Sequence, residues 1–212
     1  TRVPGDPSAA AFLVAAGLLV PESEIGVRDV GLNPTRGGFF DLVHLMGAKL
    51  ARTPKGDEVG EPWGEVAAAW GTLSGIAAGG ETVVRAIDEI PVLCAVAARA
   101  RGETVIGDAA ELRVKESDRL AAMARVLRAF GVGCEERADG IVIHGEPDRP
   151  LRAARVDAEG DHRIAMSAAL LGLVAEGETR VLGVDAIATS FPRFAGTLRA
   201  LGADVRVVPS GD

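Results

Sequence analysis

The chain repeats one pattern of apolar and charged residues three times, at intervals of about 75 residues. Each copy starts at an aspartate, passes through an apolar stretch and then an amphipathic one, and closes on a glycine. The copies run from Asp6 to Gly47, from Asp88 to Gly131 and from Asp161 to Gly202. Such regularity predicts three similar supersecondary units that share one core.

Each copy predicts two helices with different surroundings. The first is apolar almost all round, which is typical of a helix buried on every side, over residues 8–20, 91–100 and 164–175. The second is amphipathic, over residues 38–46, 115–130 and 194–201. Short strands rich in Val and Ile separate and follow these helices. We therefore predict an α/β fold whose units each run strand, helix, strand, helix, strand, strand, with helices inside and sheets outside.

These units are expected to form a single domain over residues 1–212, with repeats at about 5–60, 80–147 and 155–209. Residues 53–61 and 146–151 are predicted to be linkers between units. Both stretches are too short to separate independent domains. The sequence has no initiator Met and opens like the middle of a chain, so we expect it to begin partway through a longer protein.

Composition excludes two classes of partner. The formal net charge of −7 argues against a nucleic-acid binder, because such proteins present a basic face to phosphates. The longest uncharged apolar run, residues 7–20, is shorter than the ~20 residues that a membrane span needs. Small anionic ligands remain possible, since they respond to local rather than total charge.

The sequence carries no pattern for a nucleotide, metal or redox cofactor. It contains no P-loop, no Rossmann glycine pattern and no metal-ligand cluster, so we expect no cofactor and no bound metal. Cys94 and Cys134 lack ligand spacing to any histidine and are expected to be free thiols in a reducing compartment. This predicts a cytoplasmic protein.

Two charged strings stand where predicted helices begin. One is Arg-Val-Lys-Glu-Ser-Asp-Arg-Leu at residues 113–120, and the other is Asp-His-Arg at residues 161–163. Together they supply three cations, Lys115, Arg119 and Arg163, beside acidic groups and a histidine. A site with this inventory can bind anions and move protons.

These strings, in this order and at this separation, resemble the C-terminal half of the 5-enolpyruvylshikimate-3-phosphate (EPSP) synthase family of enolpyruvyl transferases. The resemblance implies two domains, each built of three units around a pseudo-threefold axis, with the substrates clamped between them. It also implies an enzyme of chorismate and aromatic amino-acid biosynthesis. Such an enzyme transfers the enolpyruvyl group of phosphoenolpyruvate to the 5-hydroxyl of shikimate 3-phosphate by addition and elimination. The chain matches one domain, without the family's opening strand and other domain.

The resemblance implies two acid/base residues. Asp88 corresponds to the family aspartate at the shikimate hydroxyl and is expected to act as general base. Glu116 corresponds to the glutamate beside the phosphoenolpyruvate methylene and is expected to donate a proton to it. From the residues alone, Asp88 could equally be a helix cap, and Glu116 a first-turn carboxylate stabilised by the helix dipole.

Five further residues are implied to bind substrate. Lys115 corresponds to a contact on the shikimate side, and Arg119 and Arg163 to contacts with phosphoenolpyruvate. Asp161 and His162 resemble the pair that orients the phosphoenolpyruvate arginine and lines the pocket. The alternative for each cation is a solvated surface charge, and for the histidine a structural role.

Other interpretations remain open at this point. A sister enolpyruvyl transferase acting on UDP-N-acetylglucosamine shares the fold but is not expected to carry the string at residues 113–120. A non-catalytic repeat scaffold would be favoured by loss of Asp88, Glu116 or Arg163, and all three are present. Some family members carry a lysine where this chain has Thr189, which is therefore left out of the site. We expect no appreciable turnover by this chain alone, and at most weak binding of shikimate 3-phosphate, because the remaining clamps belong to the other domain.

Overall fold

The computed structural model of the protein describes residues 3–208. Residues 1, 2 and 209–212, which include the last residue of the third predicted repeat and both ends of the predicted domain, lie outside the described residues. The first unit comprises α1 (Pro7–Leu19), β1 (Glu24–Gly31), α2 (Gly38–Leu45), β2 (Lys49–Glu58) and β3 (Glu61–Ala69). Its three strands form an antiparallel sheet in the order β1-β3-β2.

The predicted linker at residues 53–61 is instead the hairpin between β2 and β3, so that prediction was wrong. Val59 and Gly60 both have positive φ, 57° and 83°, as a tight two-residue hairpin turn of the mirror-image type requires. The register shifts between Pro54 and Gly56, which pair with Gly64 and Trp63, so Lys55 is the extra residue of a bulge. Residues that suggested a loop are therefore a turn and a bulge within one ribbon.

The second unit comprises β4 (Ala77–Ala78), α3 (Gly80–Val84), α4 (Ile90–Ala97), β5 (Gly102–Ile106), α5 (Arg119–Ala129), β6 (Gly133–Arg137) and β7 (Gly140–Gly145). Its sheet has the order β4-β5-β7-β6. Helix α5 was predicted to begin at Lys115 and begins at Arg119. The Asp118 side chain caps it by accepting from the Ala121 amide, while Lys115 has extended backbone. Lys115 and Glu116 consequently lie in a loop before the helix rather than on its face.

The third unit comprises β8 (Leu151–Arg152), β9 (Arg155–Asp157), α6 (His162–Gly172), β10 (Ala175–Glu176), β11 (Arg180–Leu182), α7 (Ile187–Ser190) and α8 (Phe194–Ala200). β8 pairs in parallel with β10, and β9 with β11. Up to residue 208, no strand follows α8, so the two closing strands predicted for this unit are not found there. Val207 and Val208 lie exposed in that stretch, where no neighbouring strand supplies the partners that a ladder needs.

The repeat predicted a strand before each unit's buried helix, and the segment there pairs in parallel with the strand that follows the helix. β9 pairs with β11 around α6, and β4 pairs with β5 around α4. In the first unit a single parallel bridge joins Gly5 to Val30 around α1. The second helices also end alike, because Gly47, Gly131 and Gly202 follow them with φ of 87°, 83° and 99°.

The three apolar helices α1, α4 and α6 pack on one another at the centre, and every residue of α4 is buried. Each second helix reaches the first helix of the next unit: α2 packs on α4, and α5 packs on α6. α8 returns to α1 through Phe12 and Phe194, whose rings meet edge to face with centroids 6.2 Å apart. This cyclic packing confirms the predicted pseudo-threefold fold with helices inside and sheets outside. No described helix is long and apolar enough to cross a membrane.

Candidate active site

The two charged strings and Asp88 meet at the N-terminal ends of α4, α5 and α6. The cyclic packing explains this, because the start of α5 lies beside the start of α6, the first helix of the next unit. Asp88 belongs to a short 3₁₀ turn that leads directly into α4. Residues far apart in the sequence are thereby brought within hydrogen-bonding distance.

Arg119, the first residue of α5, is the centre of the cluster. Its side chain is 1% exposed, and its guanidinium binds carboxylates from three segments of the chain. Nε lies 2.8 Å from Asp161 Oδ2, Nη1 lies 3.2 Å from Asp88 Oδ1, and Nη2 lies 2.6 Å from Glu116 Oε2. A buried guanidinium requires such pairing, since an unpaired charge in the interior is strongly unfavourable.

Asp161 is fully buried and has two tasks. Its Oδ1 caps α6 by accepting from the Arg163 amide at 2.9 Å, and its Oδ2 accepts from Arg119 and from the Ser117 hydroxyl. Burial alone would raise the pKa of this carboxyl, but the hydrogen bond and charge of Arg119, together with its other donors, hold the pKa below its usual value. Asp161 is therefore ionised at neutral pH and fixes Arg119 against α6.

Asp88 lies among three cations. Its carboxylate oxygens are 3.2 Å from Arg119, 3.8 Å from Lys115 and 3.7 Å from Arg163. Arg163 also donates to the Asp88 carbonyl oxygen at 2.8 Å. No side chain caps α4, so the carboxylate of Asp88 faces the cations and not the helix backbone.

Lys115 and His162 complete the predicted set. Lys115 Nζ pairs with Glu111, a residue of the preceding turn, as well as approaching Asp88. His162 is the first residue of α6; burial, followed by the positive charge of Arg163, lowers its pKa. The imidazole is therefore neutral at neutral pH.

Sequence analysis missed Glu89, a buried carboxyl next to Asp88. It accepts a hydrogen bond from the Ser8 hydroxyl, which itself accepts from Arg36 Nη2 at 3.0 Å. Arg163 Nη1 lies 3.5 Å from its Oε1. Burial raises the pKa of Glu89, and the Ser8 hydrogen bond and Arg163 only partly oppose this. The one signal in the sequence was a second carboxylate directly before a buried helix.

The cations of this cluster are covered by the protein's own carboxylates. Of the three carboxylates that contact Arg119, Glu116 is the most accessible, with its side chain 54% exposed, whereas Asp161 is fully enclosed. Arg119 is therefore closest to solvent on the side of Glu116 and closed on the side of Asp161. Two carboxylates able to carry protons, on Asp88 and Glu116, share this one guanidinium. Among residues 3–208, no group of three or more His, Cys, Asp or Glu side chains is arranged to hold a metal ion.

Known proteins resemble this chain in sequence and in fold. The family model described as EPSP synthase (3-phosphoshikimate 1-carboxyvinyltransferase) matches residues 1–198. The 3-phosphoshikimate 1-carboxyvinyltransferase of Geobacter sp. (strain M21) is 50% identical over 196 residues, covering 92% of this chain and 45% of the relative. That of Pelotomaculum thermopropionicum is 47% identical over 204 residues, covering 96% of this chain and 47% of the relative.

Solved structures agree. An EPSP synthase from Acinetobacter baumannii superimposes with a TM-score of 0.94 at 37% identity, over 98% of this chain and 48% of that one. The enolpyruvyl transferase NikO from Streptomyces tendae has a TM-score of 0.74 at 22% identity, over 97% of this chain and 45% of that one, and shares the fold. The chain spans about half the length of the relatives it matches. It belongs to the EPSP synthase family.

Proposed function

We propose that this chain is one domain of an enzyme that transfers the enolpyruvyl group of phosphoenolpyruvate to the 5-hydroxyl of shikimate 3-phosphate, in chorismate and aromatic amino-acid biosynthesis. One observation carries the proposal beyond family membership. The buried guanidinium of Arg119 gathers Asp88, Glu116 and Asp161 from three segments of the chain. This cluster supplies the two proton-carrying groups and the fixed cation that the reaction needs.

The reaction runs in two steps. In the addition step, Asp88 takes the proton of the 5-hydroxyl while the hydroxyl oxygen bonds to C2 of phosphoenolpyruvate. Glu116 gives a proton to C3 of phosphoenolpyruvate. In the elimination step, the bond from C2 to the phosphate oxygen breaks, C3 returns its proton to Glu116, and Asp88 gives its proton to the departing phosphate oxygen as inorganic phosphate leaves. Each carboxyl ends in its starting protonation state, so no oxidant, reductant or cofactor is required.

The substrates are anions and are proposed to bind the cations of the cluster. Lys115 contacts the shikimate 3-phosphate side, while Arg119 and Arg163 contact phosphoenolpyruvate, with forked guanidinium groups suited to its oxygens. Asp161 and His162 orient these groups and line the pocket. Because Glu116 pairs with Arg119 in the ligand-free chain, phosphoenolpyruvate is proposed to replace Glu116 on the guanidinium when it binds.

The chain is proposed to be a single domain over residues 1–212, with repeats at about 5–60, 80–147 and 155–209, whose partner is the other half of the same enzyme. That half supplies further cationic contacts and closes the site against water. Alone, the chain has no appreciable turnover and binds shikimate 3-phosphate weakly. We propose a cytoplasmic enzyme, without a nucleic-acid or membrane partner.

An assay of phosphate release from phosphoenolpyruvate tests this function, with the chain alone and with the other half of the protein added. We expect release only when both halves and shikimate 3-phosphate are present, and none when UDP-N-acetylglucosamine replaces the acceptor. Asp88→Asn and Glu116→Gln each lower the rate by ~10²–10⁴. Glu159→Gln, which alters an exposed pair with Arg125, leaves the rate unchanged. Turnover by the chain alone, or full activity in either carboxamide variant, contradicts the proposal.

A further inference from the structure

The loop that carries Lys115 and Glu116 is closed at its two ends by one ion pair. Arg113 stands directly before the loop, residues 114–117, and Asp118 directly after it. Arg113 Nη1 lies 2.8 Å from Asp118 Oδ2. We call this pair the clasp. The ends of the loop cannot separate without breaking it.

Arg113 also ties the clasp to the hairpin between β6 and β7. Its Nη1 lies 2.9 Å from Glu136 Oε1, its Nε donates to the Ala138 carbonyl at 2.8 Å, and its Nη2 donates to the Arg137 carbonyl. Three nitrogens of one planar group thus bind four acceptors in two segments of the chain. A lysine, with a single ammonium group, cannot reproduce this fork.

Asp118 connects the clasp to the start of α5. While Oδ2 pairs with Arg113, Oδ1 caps the helix by accepting from the Ala121 amide at 3.0 Å. Burial would raise the pKa of Asp118, but the Ala121 amide and Arg113 hold it below its usual value. The carboxylate therefore stays charged and links the loop to the helix whose first residue is Arg119.

The other contacts of the loop are made by single side chains. Val114 is 81% exposed, and Glu116 reaches Arg119 from a largely exposed position. Lys115 pairs with the exposed Glu111 and lies 3.8 Å from Asp88, and Ser117 supplies one hydrogen bond, to Asp161. The exposed pair of Lys115 with Glu111 contributes little to order.

We propose that Arg113 is a positioning residue, which sets Lys115 and Glu116 at the correct distance from Asp88 and Arg119 by clasping Asp118 and the β6–β7 hairpin. The consequence for catalysis rests on the proposed function, whereas the clasp itself does not. It makes the β6–β7 hairpin, which carries none of the predicted site residues, part of the machinery that aligns the site.

The first arm of the test measures the ligand-free chain by ¹⁵N relaxation. Arg113→Lys is expected to lower the backbone order parameters of residues 114–117 from ~0.85 to below ~0.6, with the interior of α5 unchanged. Asp118→Asn keeps a good helix cap but removes the charge, and should have the same effect. The matched control is Arg125→Lys, whose exposed pair with Glu159 has the same 2.8 Å length. Unchanged order in the loop of Arg113→Lys overturns the proposal.

The second arm measures phosphate release with both halves of the protein present. Arg113→Lys is expected to lower kcat/KM for shikimate 3-phosphate by about tenfold, since misplacing contact groups is costly, while Arg125→Lys stays at the wild-type value. A loosened loop with kcat/KM within twofold of wild type also overturns the proposal. If the wild-type halves release no phosphate, the proposed function fails, and the order parameters still decide whether Arg113 holds the loop.

Discussion

The starts of α2 and α5 occupy the same place in the repeat, but a glycine begins α2 and a buried arginine begins α5. α2 begins at Gly38, and a Cβ there would stand 2.7 Å from the Ala86 nitrogen, so the helix start packs against backbone. α5 begins at Arg119, whose long side chain is buried among carboxylates. The packing of the units follows a threefold pattern, but the charges do not. The repeated fold therefore sets where each second helix begins, and the residue at that position decides whether the helix start packs on backbone or binds charged groups.

Charged residues also surround the start of α2, in a simpler arrangement. A cavity of about 270 Å³ there is lined in part by Asp41, Arg52 and Arg85. Asp41 alone pairs with both arginines, at 2.9 Å and 3.0 Å, from the first turn of α2 itself. At the start of α5, by contrast, three carboxylates from three segments converge on one arginine. Both arrangements join neighbouring units, but only the second brings several carboxylates to one cation.

The largest expected effect comes from removing the guanidinium at the start of α5. Arg119→Met leaves the buried carboxylate of Asp161 without its cation, and the free energy of unfolding should fall by ~3–5 kcal/mol. The matched change at the start of α2, Arg52→Met, affects a half-exposed pair and should lower it by less than ~1 kcal/mol. Urea unfolding measures both. Equal losses would erase the contrast between the two regions.

The next effect concerns packing at the start of α2. Gly38→Ala forces a methyl group against the backbone of residues 82–86, and should lower the free energy of unfolding by ~1–3 kcal/mol. Gly196→Ala is the control, because this glycine of α8 has open space around it. That change should be neutral or stabilising by up to ~1 kcal/mol. The account of α2 is wrong if Gly38→Ala behaves like Gly196→Ala.

A smaller effect appears in the pH dependence of stability. The pKa of Glu89 is raised in the folded protein above its ordinary value of 4.5, so the folded state binds this proton more tightly than the unfolded state. That contribution to stability is fully present below pH 4.5 and is lost as the pH rises through the folded-state pKa of Glu89. Glu89→Gln removes the titration, so the variant should gain stability relative to wild type as pH rises. Urea unfolding from pH 4 to 8 tests this; a difference that is constant, or that moves the other way, contradicts it.

The smallest effect on stability is expected at Glu116. Glu116→Gln should change the free energy of unfolding by less than ~0.5 kcal/mol, because the side chain is half-exposed. It should nevertheless strengthen binding of inorganic phosphate at Arg119 by a few-fold, since a competing negative charge is gone. Amide shifts during a phosphate titration measure this, with Glu159→Gln as control. Weaker binding in Glu116→Gln would show that Glu116 does not compete for the arginine.

Much of this fold could be predicted because the spacing of apolar residues and the positions of glycines reveal the repeat. Helix ends at Gly47, Gly131 and Gly202 depend on a local requirement for positive φ, which sequence states directly. The hairpin at residues 53–61 escaped prediction because Pro54 and Gly56 usually break strands, and only the pairing of β2 with β3 reveals that they flank a bulge within one strand. Tertiary pairing there outweighs local preference.

The site divides in the same way. The motif strings supplied six residues, and the family resemblance added Asp88, all of which the structure brings to one place; yet the start of α5 was set four residues too early. Asp118, a strong helix cap, was the available local signal. The hydrogen bonds that link Arg36 through Ser8 to Glu89 had no comparable signal in the sequence, because Ser8 and Glu89 are 81 residues apart. Contacts between units follow from packing, which a single sequence does not state.

The most direct test of the central claim is an NMR titration of the ¹⁵N-labelled chain with shikimate 3-phosphate, with and without phosphoenolpyruvate. The account predicts weak but saturable amide shifts at residue 88 and residues 115–119 and 161–163. Lys115→Met should abolish them, and Arg52→Met should leave them unchanged. The absence of saturable shifts, or their appearance around Asp41, Arg52 and Arg85 at the start of α2, would contradict the claim that the anion site is formed where α5 meets α6.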